Sequence, residues 1–123
     1  MPYTYDDQNI FARILRGEIP NRTVLETEHS LAFDDINPQA PVHVLVIPKG
    51  PYVCYDHFAQ EALVAELADF SRAIGEVCRM KALHETGFRL ISNAGQDGVQ
   101  EVPHLHVHIL GGRRLGRMLP PAG

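Results

Sequence analysis

Apolar and polar positions along this chain follow two periods, and where each one runs sets the elements to expect. Asn9 precedes Ile10, Phe11, Ile14 and Leu15, which share one helical face, and Gly17 follows. An N-cap, a one-sided stripe and a glycine stop predict a short helix over residues 10–16. Pro20 ends any continuation. Residues 23–26 and 30–34 read as two short strands joined by a tight turn, and Asn37-Pro38-Gln39-Ala40-Pro41 as a rigid loop. In residues 42–48, Val42, Val44, Leu45, Val46 and Ile47 suit a strand buried on both faces. His43 interrupts that run, and a polar ring there must find a partner. Leu63, Leu67, Phe70, Ile74 and Val77 recur at three- and four-residue steps, so residues 59–81 are expected to form one long amphipathic helix. Ala62, Val64, Ala73 and Met80 widen its stripe, as core packing or a partner chain would require.

Residues 88–93 read as a further strand, and Ala94-Gly95-Gln96-Asp97-Gly98 as a turn suited to positive φ, whose amides, Gly98 included, could hold a phosphate. The last element is the most distinctive. His104, His106 and His108 alternate with Leu105, Val107 and Ile109 ahead of Gly111 and Gly112. In a strand over residues 104–110 all three imidazoles would share one face, with the aliphatics on the other. The order helix, hairpin, strand, long helix, strand, strand predicts an α+β fold: a five-stranded, mostly antiparallel sheet with one short and one long helix.

The length of 123 residues fits a single domain over residues 1–123 with short flexible termini. A net charge of −4 disfavours binding to a nucleic acid polymer, so any phosphate recognition is expected to be local. Cys54 and Cys78 show no disulfide or C-x-x-C spacing, the start of the chain is polar and acidic, and no run reaches membrane-spanning length. A cytoplasmic protein without membrane contact is the expectation.

Imidazole is both a nucleophile and a proton carrier near neutral pH, so one ring of the cluster could attack while its neighbours orient it. Metal binding is the rival reading: His104 and His106 could present two nitrogens to one zinc, with His43 as a third.

Several stretches together resemble the histidine triad (HIT) family, in its nucleotide-binding branch. These are Ile10-Phe11 with Gly17-Glu18-Ile19-Pro20, the run from Phe33 through Asp35 and Ile36 to Pro41, the run from His43 to Lys49, and His104 through Gly112. The resemblance spans residues 9–119. It implies a homodimer that hydrolyses purine nucleoside phosphoramidates and related aminoacyl adenylates with no metal or other cofactor. By position, His106 would be the nucleophile, and His108 would contact the phosphoryl oxygens or the bridging atom. His104 and His43 would orient the site, Asn93 would bond a phosphate oxygen and Asp35 the ribose hydroxyls. Ile10, Phe11, Ile14, Phe33 and Ile36 would form the purine slot. Glu101 replaces a serine found near the leaving group in animal members, and the tail from Arg113 lacks their tryptophan and resembles bacterial tails. Two further readings stay open: a nucleotide-binding regulatory module with weak turnover, and a dinucleoside polyphosphate hydrolase.

Overall fold

Five antiparallel strands in the order β1-β2-β3-β5-β4 form the frame of the computed structural model, which describes residues 3–121. The first two residues of the chain and the last two of its tail lie outside that range. A hairpin joins β1 (Thr23–Glu26) to β2 (Ser30–Asp34), with a register shift between Thr23 and Leu25. β3 (Val42–Pro48) and β5 (Val107–Gly111) are central, and β4 (Phe88–Ile91) is an edge.

Alternation along β3 and β5 divides the interior in two. Val44, Val46, Val107 and Ile109 pack with Phe58, Phe70, Ala73 and Val77 from the helical layer. Leu45 and Ile47 point the other way and pack with Phe11, Ile14, Leu31 and Phe33. α1 (Ile10–Leu15) therefore covers the face that also carries His43 and His108. Its N-terminus forms as the sequence predicts, with the Asn9 Oδ1 accepting from the Ala12 amide at 2.9 Å.

The long helix differs from expectation. It is two helices, α2 (Tyr55–Glu61) and α3 (Val64–Met80), broken where Ala62 and Leu63 take extended backbone. The Glu66 carboxylate accepts the Leu63 amide at 3.0 Å, and the Ala62 amide closes α2 on the Phe58 carbonyl. A side-chain cap thus starts α3 without the proline or glycine that would have advertised the break. One further turn, α4 (Leu83–Thr86), was not expected either. No helix among the described residues is long and apolar enough to cross a membrane.

The triad stretch is only partly a strand, because β5 begins at Val107. Pro103 has no amide to give a ladder. The amides of His104 and Leu105 instead go to the carbonyls of Val102 and Tyr52. Leu105 still packs with Val107 and Ile109 in the helical-side core. β4 likewise ends at Ile91, short of Asn93.

Candidate active site

A cavity of about 460 Å³ opens between α1, the β2–β3 loop and the segment ahead of β5. Ile10, Phe11, Ile14, Phe33, Asp35, Ile36, Asn93, Glu101, His106 and His108 all line it. At the rim, Ile36 is 84% exposed and Ile10 45%, while Phe11, Ile14 and Phe33 are buried. The combination is an apolar floor with loose apolar walls. Phe11 meets the His106 ring edge-on at 5.0 Å and Phe33 at 5.7 Å.

His104 and His43 do not line the cavity; they stand behind it. Gly98 is also absent from the lining, contrary to the sequence reading. A Cβ there would lie 2.5 Å from the Ala94 carbonyl oxygen, so this glycine serves close backbone approach within the turn. Val99, beside it, lines the cavity at φ 56°, an uncommon conformation for a β-branched residue, and was not singled out by sequence.

Backbone partners assign the proton on each imidazole. The His104 Nε2 lies 2.8 Å from the Pro48 carbonyl oxygen, which can only accept, so Nε2 carries the hydrogen. The His104 Nδ1 is then an acceptor, and the Tyr5 hydroxyl donates to it at 2.6 Å. The His106 Nδ1 is 2.7 Å from the His104 carbonyl oxygen and donates to it, which places the His106 lone pair on Nε2. The Gln39 amide donates to the His43 Nδ1 at 3.0 Å, so the His43 Nε2 is protonated. That nitrogen donates to the His108 Nδ1 at 2.9 Å, with the Asp35 carboxylate 3.4 Å away. The His108 hydrogen therefore resides on Nε2. In the β3–β5 register His108 is opposite Leu45, so His43 reaches it as the diagonal neighbour on the same face.

Burial favours neutral rings throughout. It lowers the His106 pKa, against which the His104 carbonyl and the charges of Asp35 and Glu101 act. His104 is pushed down to about 4 by burial. His108 also falls to about 4, by burial and then by the neighbouring His106 and His43. His43 is lowered by burial, with Asp35 opposing. One nitrogen with a free lone pair and one N–H donor thus stand side by side, their rings 5.1 Å apart.

The same assignments weigh against metal. Both His104 nitrogens are engaged, and the His106 Nδ1 is held by a carbonyl. Among the described residues Asp35, His43 and His108 bring potential ligand atoms within 4.8 Å of one another. The His43 nitrogen facing that point carries a hydrogen, because its other nitrogen accepts from Gln39. The trio is arranged as a hydrogen-bonded chain, and the donor set does not fit a bound cation.

Two contributors escaped the sequence reading. Tyr5 sits in a polar stretch read only for targeting, where two tyrosines, Tyr3 and Tyr5, upstream of the Asn9 cap were the available signal. Gln39 acts through its backbone amide, which no residue pattern reveals.

The HIT domain model matches residues 16–115. An uncharacterized 13.2 kDa HIT-like protein of Azospirillum brasilense is 61% identical over 119 residues, 97% of this chain and 98% of that protein. The purine nucleoside phosphoramidase of Escherichia coli (strain K12) is 38% identical over 117 residues, 95% of this chain and 98% of the enzyme. A crystal structure of a HIT family hydrolase from Legionella pneumophila Philadelphia 1 superposes with a TM-score of 0.79 at 39% identity, covering 85% of this chain and 93% of that one.

Proposed function

The chain belongs to the histidine triad (HIT) domain family, and from that premise we propose that it is a purine nucleoside phosphoramidase, cleaving nucleoside monophosphates from amine or acyl leaving groups through a nucleotidyl intermediate on His106. The observation that carries this reading is the bond from the His106 Nδ1 to the His104 carbonyl, which leaves Nε2 as a neutral nucleophile in the cavity wall. A neutral ring can approach an anionic phosphate that would repel a carboxylate. The similarity to the Escherichia coli phosphoramidase supports the choice of substrate.

The His106 Nε2 attacks the α-phosphorus, the P–N bond breaks, and the departing nitrogen takes a proton. Water then attacks the same phosphorus, the P–Nε2 bond breaks and the ring returns neutral, with the surplus proton passing to solvent. His108 offers its Nε2 hydrogen to a phosphoryl oxygen. Its Nδ1 is already filled by His43, so giving that proton away would leave an imidazolate; His108 stabilises charge rather than acting as the acid. The leaving group's proton then comes from water at the exposed rim, where Glu101 stands. Asn93 bonds a phosphate oxygen, and the purine lies between Ile10, Phe11, Ile14, Phe33 and Ile36.

Incubation with adenosine 5'-phosphoramidate, with and without chelator, tests this reading. Release of the nucleoside monophosphate, unaffected by chelator, is the expected result. Tight purine nucleotide binding with no release would favour the regulatory module. Preferential cleavage of dinucleoside polyphosphates would favour the other hydrolase reading.

Asp35 bears on sugar choice. One of its oxygens accepts the Asn37 amide at 2.8 Å, which caps the loop, and its remaining acceptor capacity serves both ribose hydroxyls. Charge-assisted bonds of this kind are worth roughly 1.5 to 3 kcal/mol, so ribonucleotide substrates should exceed their 2'-deoxy counterparts about tenfold or more in kcat/KM. Equal values would leave Asp35 with the loop alone.

A homodimer goes with this function. β4 is an edge strand with half-exposed Phe88 and Leu90, and a groove beside it is lined by Tyr55, Phe58, Leu67, Phe70, Ile74 and Leu90. Pairing two such edges would cover both features. Light scattering should give twice the 13.7 kDa chain mass at micromolar concentration, and a strictly monomeric mass would refute the pairing.

A further inference from the structure

The His104 ring is wholly buried, so an Nδ1 without a donor would be a costly orphan. Its donor comes from outside the sheet, from Tyr5, ninety-nine residues away in the chain. The segment that delivers Tyr5 is tied down on both sides. Tyr3 stacks on His57 at 4.9 Å and its hydroxyl bonds the Asp56 carboxylate, while the Asp6 carbonyl accepts from the Asn9 side chain at 2.7 Å and the Asp7 carbonyl from Arg16 at 2.7 Å. The two partners of His104 agree on one tautomer: Tyr5 can donate to Nδ1 only when the hydrogen is on Nε2, where the Pro48 carbonyl requires it. The same residue supplies the carbonyl that holds the His106 Nδ1.

We propose that Tyr5 is a positioning residue for the reaction: its hydroxyl, 2.6 Å from the His104 Nδ1, fixes the His104 ring and through it the carbonyl that orients His106. The residues ahead of α1 are thereby part of the catalytic support. Burial raises the Tyr5 pKa, in keeping with a phenol that stays protonated and donates. The proposal rests on His106 being the nucleophile, and its test separates the two ideas.

Tyr5→Phe removes the donor and leaves the ring's shape in place. In the full-length protein kcat is expected to fall about tenfold, with KM held within about twofold, because the slot is untouched. Nitrogen-15 spectra of wild type should show the His104 Nε2 as the hydrogen-bearing nitrogen and Nδ1 as an acceptor, and Tyr5→Phe should shift the His104 and His106 ring signals. In a His104→Gln background Tyr5→Phe should cause no further loss, since the two act as one unit. Unchanged kcat, a lowered melting temperature with unmoved ring signals, or losses that multiply in the double variant would each overturn the proposal. The opposite His104 tautomer in wild type would overturn it even if Tyr5→Phe failed to fold. Ring signals that move as expected in a protein without hydrolytic activity would instead locate the failure in the assignment of function.

Discussion

His106→Gly is expected to lose turnover by several orders of magnitude while still binding purine nucleotides, because chemistry depends on one nitrogen and binding on the slot. Phe11, Phe33 and Ile14 are buried in packing that does not depend on the His106 ring alone, and Asp35 is held by the Asn37 amide. No neighbour can substitute. The His104 nitrogens are both engaged, and the one free lone pair among the triad rings is on the His106 Nε2. Calorimetric titration with a nucleoside monophosphate beside steady-state kinetics checks both halves of the expectation. Near-normal hydrolysis in the variant would remove the covalent mechanism, and lost binding would show that the His106 ring is itself part of the slot.

The second large effect is on stability in mild acid. Folding buries imidazoles that the unfolded chain would protonate near pH 6.5, and His104 and His108 resist protonation until about pH 4. Between those values the unfolded state binds more protons than the folded one. Stability is therefore full above about pH 6.5 and declines as pH falls toward 4. A tenfold change in proton affinity is worth about 1.4 kcal/mol, so the deeply buried His104 costs on the order of 3 kcal/mol across that window and His108, partly screened by solvent, less, with His106 and His43 acting in the same direction. That is a large share of a small domain's stability. Urea midpoints should drop steeply from pH 7 to pH 5, and His104→Gln should flatten the drop while lowering the midpoint at pH 7. A midpoint that does not change over this range would mean that the rings are solvated or charged in the folded protein.

Strand period and helix capping made much of the architecture readable, because β2, β3 and α1 are specified by residues within each segment. Asn9, the apolar run through Val44, Leu45, Val46 and Ile47, and the isolated His43 each pointed to its observed place. What could not be read depends on partners distant in sequence. The break at Ala62 and Leu63 is made by the Glu66 side chain rather than by a breaker residue. The triad leaves the ladder ahead of Val107 because Pro103 lacks an amide and Tyr52, from another loop, takes the Leu105 amide. Histidine identity announced the chemistry of the site, but the division of labour between the rings comes from the carbonyls of Pro48 and His104, the Gln39 amide and the Tyr5 hydroxyl. Backbone groups carry no residue signature, so roles assigned by them need the fold.

The central claim is that the His106 Nε2 carries the nucleotide between two displacements. Rapid quench of wild type during turnover of adenosine 5'-phosphoramidate, followed by mass spectrometry of the digested protein, tests it most directly. One nucleotidyl group on the peptide that contains His106, appearing and decaying at rates compatible with kcat, is the result expected here. Full turnover with no nucleotide on any histidine, and inversion of configuration at a chiral phosphorus, would establish direct attack by water and contradict the account.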